Sequence, residues 1–266
     1  MTPSIDPPTP ADHRAFLEER IFQIHTRWPH YRRLLDDLTE IAATLGPTSE
    51  VLCLERAFVF GGVSLFAPLF DARARFVAYD VRLSGLEEER MGYQRDWTED
   101  ARCAARPVDA AGPVSALPYA MERFDQVIVP NVVHHVREQR AMFAEIARVM
   151  KPGGRGFVFE TLIRELHQIP HDFVRYTPWG FASMLEEAGL ELVEWRPAGG
   201  PFEAILYCWD QALQYLPEEE RERRRRWIEQ DHFQELMALE ARCPDNRARA
   251  HTCFPIAYGL HFRKAS

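Results

Sequence analysis

Residues 124–160 decide the fold and read FDQVIVPNVVHHVREQRAMFAEIARVMKPGGRGFVFE. The apolar runs at 124–129 and 156–160 are each typical of a buried strand. Between them, residues 137–150 carry apolar side chains at helical spacing, and Lys151-Pro152-Gly153-Gly154 is predicted to end that helix. A strand, a helix and a second strand in this order predict a right-handed crossover between two parallel strands.

The same alternation extends on both sides of this unit. Apolar runs predict further strands at residues 51–54, 76–80, 190–195 and 255–262. Helical patterns separate most of them, so we expect a mainly parallel sheet with helices on both faces. Ligands of such sheets bind at the carboxyl ends of the strands.

The chain is predicted to have three parts. Residues 1–10 contain four prolines and form a flexible lead-in. Residues 11–45 carry apolar side chains at helical spacing and form an N-terminal helical segment. Residues 46–266 form the α/β domain, which includes a helical insertion at about 203–245 before the last strand.

Charge and composition exclude several functions. The net charge of −8 argues against nucleic acid as a partner, because phosphate attraction requires a positive surface. No apolar stretch approaches the roughly 18 residues of a membrane span, so no membrane is expected as a partner. The five cysteines show no C-x-x-C pair, which favours reduced thiols in a cytoplasmic protein.

The segment quoted first resembles the class I S-adenosylmethionine-dependent methyltransferases, in particular the methyltransferase type 11 group. The matching elements are FD-x-V, a histidine and valine at His135-Val136, and the helix end R-V-M-K-P-G-G at 148–154. Residues 172–177 are similar to a D-[FY]-x-R-[YF]-T motif of the same proteins. The resemblance implies a Rossmann-like, seven-stranded, mostly parallel sheet with an antiparallel last strand.

The glycine-rich motif I of these proteins is degenerate in this chain. Its glycines let the backbone approach the cofactor closely. When the motif is aligned on Val51-Leu52, its three glycine positions are occupied by Glu55, Ala57 and Val59. Gly61 and Gly62 follow after Phe60 and replace them only if the loop is longer.

The resemblance assigns other residues to the cofactor, S-adenosylmethionine. Asp80 ends a strand where an acidic residue accepts hydrogen bonds from the ribose hydroxyls. Asp109 lies where the family contacts adenine, and Asn131 follows the next strand. The predicted cofactor-binding residues are therefore Glu55, Ala57, Gly61, Gly62, Asp80, Asp109 and Asn131.

The predicted catalytic or substrate-contacting residues are His134, Arg175 and Tyr176. His134 follows a strand on the cleft side, although a lone cleft histidine is more often structural. Arg175 and Tyr176 suit a carboxylate, phosphate or sugar hydroxyl, or alternatively anchor the loop before the next helix.

A metal is not predicted. His167, His171 and Asp172 offer metal-ligand atoms, but Pro170 interrupts any helix that would align the two histidines. These residues also fall within the substrate-side motif of the resemblance.

Three functions remain open at this point. The first is an enzyme that transfers a methyl group from S-adenosylmethionine to a small molecule or glycan. The second is a non-catalytic binding or scaffold protein that has lost the cofactor, and the third is different chemistry in the same cleft. Aromatic residues of the helical insertion favour packing on the core, on a second copy or on a partner subunit.

Overall fold

The computed structural model describes residues 8–70, 73–83, 100–242 and 254–266. Its strands are β1 (Glu50–Glu55), β2 (Val63–Ser64), β3 (Arg75–Val81), β4 (Arg106–Pro107), β5 (Ala110–Gly112), β6 (Phe124–Pro130), β7 (Met150–Thr161), β8 (Leu190–Ala198) and β9 (Ala257–Lys264). Its helices are α1 (Pro10–Phe16), α2 (Tyr31–Thr44), α3 (Gln139–Val149), α4 (Pro178–Glu187), α5 (Pro201–Leu213), α6 (Glu218–Trp227) and α7 (Phe233–Ala241).

The main sheet has seven strands in the order β5-β3-β1-β6-β7-β9-β8. β1 pairs in parallel with β3 and β6, β6 pairs in parallel with β7, and β3 pairs in parallel with β5. β9 lies antiparallel between β7 and β8. The predicted fold, a mostly parallel Rossmann-like sheet with an antiparallel last strand, is therefore confirmed.

The central strand β1 is buried on both faces, which explains why its sequence is continuously apolar. Val51 and Cys53 face a core formed with α2 and the N-terminal segment. Leu52 and Leu54 face a second core formed with α3 and α4. Strand side chains alternate between the two faces of a sheet, so four consecutive apolar residues serve both cores.

The helix end at 151–154 differs from the prediction in one respect. α3 ends at Val149, and β7 begins at Met150 and continues through the Lys-Pro-Gly-Gly stretch. The pairing of β6 with β7 shifts register within this stretch, and Gly153 has φ of 74°. A glycine in the left-handed region accommodates such an irregularity without a Cβ clash.

Helices α5 to α7 lie between β8 and β9 in sequence and contact the N-terminal segment. The buried carboxylate of Asp210 in α5 accepts hydrogen bonds of 2.8 and 3.0 Å from Arg27 and one of 3.3 Å from the Trp28 ring. This contact brings both segments to the same side of the sheet. In the described part of the chain, no helix combines the length and apolar character needed to cross a bilayer.

Candidate active site

A cavity of about 640 Å³ lies at the carboxyl ends of β1, β6 and β7. The segments that follow these three strands form one wall. The N-terminal segment between α1 and α2 and Tyr207 of α5 form the opposite wall. The fold thus places the cavity where α/β proteins bind their ligands.

The loop after β1 makes a tight turn without the usual glycines. Residues Ala57–Phe60 form a 3-10 turn, and the N–H of Gly62 donates a hydrogen bond of 2.9 Å to the carbonyl of Ala57. Gly61 and Gly62 both have φ of 79°, a conformation that favours glycine. The two glycines therefore close the lengthened loop, and a Cβ at Gly62 would meet no atom within 4 Å.

Glu55 occupies the first lost glycine position and is buried in the cavity wall. Its carboxylate accepts hydrogen bonds from the Ser64 hydroxyl at 2.5 Å and from the Leu65 N–H at 3.2 Å. Burial raises the pKa of Glu55 to about 7, although these hydrogen bonds lower it. The carboxyl group therefore retains its proton to a higher pH than an exposed glutamate does.

Arg56 connects three elements at the carboxyl edge of the sheet. Its guanidinium donates hydrogen bonds to the carbonyl of Val81 at 2.7 Å and to the side chain of Gln168 at 3.0 Å. Arg56 is only 7% exposed. Its charge therefore lies between the ends of β1 and β3 and the loop that follows β7.

Asp80 and Asp109, the two carboxylates predicted to bind the adenosine part of the cofactor, lie outside the cavity lining. Asp80 at the end of β3 is fully buried, and its carboxylate lies 2.9 Å from Nε of Arg82. Asp109 accepts a hydrogen bond of 2.8 Å from the N–H of Ala78, within β3 and before its carboxyl end. Ala57, Gly61 and Gly62 also lie outside the lining, whereas Glu55 and Asn131 belong to it.

Asn131 follows β6 directly and has φ of 53°. Its side-chain N–H donates a hydrogen bond of 3.2 Å to the Tyr31 hydroxyl. Its side-chain oxygen is buried and has no hydrogen-bond partner among the described residues. A buried acceptor of this kind is costly without a donor, so it favours a ligand that brings one.

His134, the predicted catalytic histidine, lines the cavity and contacts a buried carboxyl group. Its Nδ1 lies 2.6 Å from Oε2 of Glu160 on β7, and the other Glu160 oxygen accepts a 2.7 Å hydrogen bond from the N–H of Val133. Burial raises the pKa of Glu160 to about 8 and lowers the pKa of His134 well below its usual value. The pair is therefore uncharged or shares a proton at neutral pH.

The structure brings His167 to His134 and His135 rather than to the ring of His171. Nε2 of His134 and Nε2 of His167 are 3.3 Å apart. His171 contributes its backbone carbonyl, which lies 2.6 Å from Nδ1 of His135. Burial lowers the pKa of His167 to about 3 and also lowers that of His135, so both rings are neutral.

Arg175 and Tyr176, predicted for substrate contacts, lie outside the cavity lining. The Arg175 guanidinium donates a hydrogen bond of 2.8 Å to Asp172 and one of 3.2 Å to the carbonyl of Glu165. The carbonyl of Tyr176 accepts a hydrogen bond from the Tyr258 hydroxyl. In this structure Arg175 holds the loop that carries His167, whereas the backbone of Tyr176 is joined to β9.

No sequence pattern predicted Glu160 or Tyr207 at the site. A carboxylate at the end of an apolar strand run was the available signal for Glu160, because neighbouring parallel strands end at the same edge. Tyr207 lies on the insertion, whose position over the sheet is not determined by local sequence patterns.

The strand order, the antiparallel β9 and a cavity at the carboxyl edge together define the class I methyltransferase fold. In agreement, residues 60–158 match the family model described as a methyltransferase domain. The predicted resemblance is therefore confirmed for residues 60–158, and the sheet has the class I methyltransferase fold. The match begins after the degenerate loop positions Glu55, Ala57 and Val59.

Solved structures with the same fold cover nearly the whole chain. A proposed methyltransferase from Bacillus halodurans is 19% identical with a TM-score of 0.50, over 87% of this chain and 98% of its own. The [4+2]-cyclase SpnF is 17% identical with a TM-score of 0.53, over 98% and 97%. A proposed sarcosine dimethylglycine methyltransferase from Galdieria sulphuraria is 14% identical with a TM-score of 0.52, over 96% and 98%. No curated protein matches the chain.

Proposed function

We propose that this protein transfers a methyl group from S-adenosylmethionine to a small molecule. The observation that carries the proposal is the cavity of about 640 Å³ at the carboxyl ends of β1, β6 and β7, in a chain with a methyltransferase domain. Ligand sites of small molecules measure about 300–1,000 Å³. The volume therefore suits the methionyl part of the cofactor together with a small acceptor, while the proposed adenosine contacts lie outside the cavity lining.

The residues at one end of the cavity suit the methionyl part of the cofactor. The buried oxygen of Asn131 has no described partner, and the carboxyl group of Glu55 lies in the same lining. The ammonium group of the cofactor is a donor for both. When bound, the cofactor supplies an electrophilic methyl group on a sulfonium centre.

The adenosine end requires a local exchange of partners. Asp80 is the proposed acceptor for the ribose hydroxyls, and Asp109 is the proposed contact of adenine. In this structure Asp80 contacts Arg82, and Arg56 donates to Val81 beside it. Cofactor binding at Asp80 therefore requires the arginine side chains to yield to the ribose hydroxyls.

The acceptor side of the cavity is lined by polar and aromatic groups that suit a small polar molecule. His134 lies there with its Nδ1 facing Glu160, while Trp28 and Tyr207 contribute aromatic surface. We propose that His134 contacts the acceptor. We also propose that Arg175 and Tyr176 position the loop after β7, which carries His167. Methyl transfer depends mainly on the alignment of nucleophile and methyl group, so a rigid wall is the main requirement.

A second candidate function is a protein of this fold that no longer uses the cofactor for methyl transfer. The contacts Arg56–Val81 and Arg82–Asp80 favour it, because the chain's own cations lie beside Asp80, the proposed ribose contact. SpnF is a [4+2]-cyclase and has the same fold, so the fold also occurs in a protein with that activity. The alternatives are therefore a scaffold role or different chemistry in the same cavity.

Calorimetry with S-adenosylmethionine and S-adenosylhomocysteine separates these functions. We expect saturable binding of both at one site. The absence of heat at millimolar ligand, with a folded protein by circular dichroism, would reject methyl transfer. A screen of acceptors with labelled methyl donor then identifies the substrate class, with hydroxyl and amine acceptors tested separately.

We also propose that the helical insertion contacts a second copy or a partner subunit. Ile205, Tyr215 and Trp227 are 54%, 81% and 40% exposed on or beside α5 and α6. Light scattering of the purified protein tests this surface.

The described cysteines Cys53, Cys103 and Cys208 are free thiols, which supports the proposal of a cytoplasmic location.

A further inference from the structure

Three histidine rings meet in the wall of the cavity, although they come from two separate segments. His134 and His135 form the turn after β6, and His167 lies in the loop after β7. One ring nitrogen from each lies within 4.8 Å of the other two. The two segments are joined by a backbone hydrogen bond of 2.8 Å from Phe173 to the His134 carbonyl. The cluster is thus built into the fold rather than formed by mobile side chains.

The surroundings of each ring orient its Nδ1 away from the cluster. The three contacts are His134 to the Glu160 carboxyl group at 2.6 Å, His135 to the His171 carbonyl at 2.6 Å and His167 to the Glu165 carbonyl at 3.2 Å. Histidine ligands of metals almost always donate their second ring N–H to a carboxylate or carbonyl in this way. The Nε2 atoms are then left for a shared ligand.

The distance between the Nε2 atoms of His134 and His167 indicates what can lie between them. His134 Nε2 and His167 Nε2 are 3.3 Å apart, which is repulsive for two lone pairs. The space between them therefore holds either a proton or a cation. A tetrahedral Zn²⁺ with Zn–N distances of about 2.0–2.1 Å separates its ligand nitrogens by about 3.3 Å. The third nitrogen, from His135, lies within 4.8 Å of the other two.

We propose that His134, His135 and His167 bind a divalent transition metal of the Zn²⁺ type through their Nε2 atoms. Imidazole ligands suit zinc, copper, iron and nickel, and three of them leave a fourth position open. All three rings line the cavity, so that position faces the bound small molecule. The metal site itself does not depend on methyl transfer. If the proposed function holds, the open position takes an oxygen of the acceptor and favours its deprotonated form.

Charged groups around the cluster partly balance. Arg164, Arg175 and Arg56 are cationic groups near the histidines, and they oppose a metal ion. Asp172 contacts the Arg175 guanidinium at 2.8 Å, and Glu165 lies 3.7 Å from Arg164. Arg164 and Arg175 therefore each have a carboxylate beside them, whereas Arg56 donates to the Val81 carbonyl and to Gln168. The carboxyl group of Glu160 remains for the metal-bound histidine.

The test is a titration of the chelator-treated, metal-free protein with Co²⁺, which reports its ligands by visible absorption. We expect one equivalent to bind with a tetrahedral spectrum and Zn²⁺ to displace it. Loss of an orienting partner of a ligand costs about 10–100-fold in metal affinity. We therefore expect H167N, which removes a ligand itself, to weaken binding by at least about 100-fold. The matched control is H171N in the same loop, whose ring lies outside the cluster and which should bind Co²⁺ like the wild type.

Three outcomes would overturn the proposal while circular dichroism shows folded protein. They are no stoichiometric Co²⁺ binding, an equal loss in H171N and H167N, and a thiolate-to-cobalt charge-transfer band that places the ion on cysteine. The cofactor proposal is decided separately, because calorimetry with S-adenosylhomocysteine is performed on the metal-free protein. Metal binding without cofactor binding, or the reverse, therefore rejects one proposal and leaves the other supported.

Discussion

The guanidinium of Arg56 donates a hydrogen bond of 2.7 Å to the carbonyl of Val81, and this contact joins the ends of two neighbouring parallel strands. The proposed cofactor site lies at the same two strand ends. The resemblance aligns Glu55 with a glycine of that loop, so an ionisable side chain and the cationic Arg56 follow β1 there. The variants R56Q and D80N test whether the cofactor still binds at this loop.

We expect R56Q to bind S-adenosylhomocysteine about tenfold more tightly than the wild type. A hydrogen bond from a charged group contributes about 1.5–3 kcal/mol, and cofactor binding no longer has to break it in the variant. Isothermal calorimetry measures the change. R226Q, on the exposed side of α6, is the matched control. Weaker binding by R56Q would show instead that Arg56 is a cofactor ligand.

D80N tests the ribose position directly. A carboxylate accepts hydrogen bonds from both ribose hydroxyls, whereas an amide offers one acceptor atom, so we expect binding to weaken by about 10–100-fold. Arg82 is partly exposed and can turn to solvent when its partner is lost. D125N, at the amino end of the central strand β6, is the control. Equal affinities for D80N and the wild type would place the ribose elsewhere.

Sequence patterns were sufficient for the fold because its strands are buried on both faces. Val51 to Leu54 cannot form an amphipathic element, and the run is too short for a core helix, so a central parallel strand is the remaining interpretation. The Lys-Pro-Gly-Gly stretch was less informative, since a glycine that ends a helix and a glycine in an irregular strand look alike in sequence.

The site was less predictable because its side chains come from loops that sequence periodicity does not place. His134 was identified from its position after a strand, but its neighbour His167 depends on the path of the loop after β7. That path is fixed by tertiary contacts such as Arg175 with Asp172. The sequence shows that Arg56 places a charge in the loop. Its partner is the backbone carbonyl of Val81, which no sequence pattern identifies.

E55Q is expected to change how stability depends on pH. In the folded protein burial raises the pKa of Glu55 from 4.5 to about 7. The folded state therefore retains a proton that the unfolded chain releases near pH 4.5, so stability falls as pH rises from about 4.5 to 7. Glutamine has no such proton, and the variant should gain up to about 3 kcal/mol over the wild type across this range.

Urea unfolding of both proteins at pH 4.5, 6 and 8 measures that difference. Other titrating groups, including Glu160, are common to both proteins and cancel in the comparison. Parallel curves for the two proteins would mean that Glu55 is ionised in the folded state with its usual pKa.

The pairing of β7 with β9 gives a sharp test of packing below the cavity. Gly156 on β7 lies opposite Phe262 on β9, and a Cβ at Gly156 would be 2.0 Å from the end of that ring. Because Phe262 is almost fully buried, the ring has no free space to enter, and G156A should lower the free energy of unfolding by about 1–3 kcal/mol or more. G46A is the matched control, since a Cβ there meets nothing within 4 Å and its expected effect is below about 1 kcal/mol.

The double variant G156A/F262L should recover part of the loss, because the smaller side chain relieves the clash. Additive losses in the double variant would contradict the clash and indicate that the two strands adjust independently.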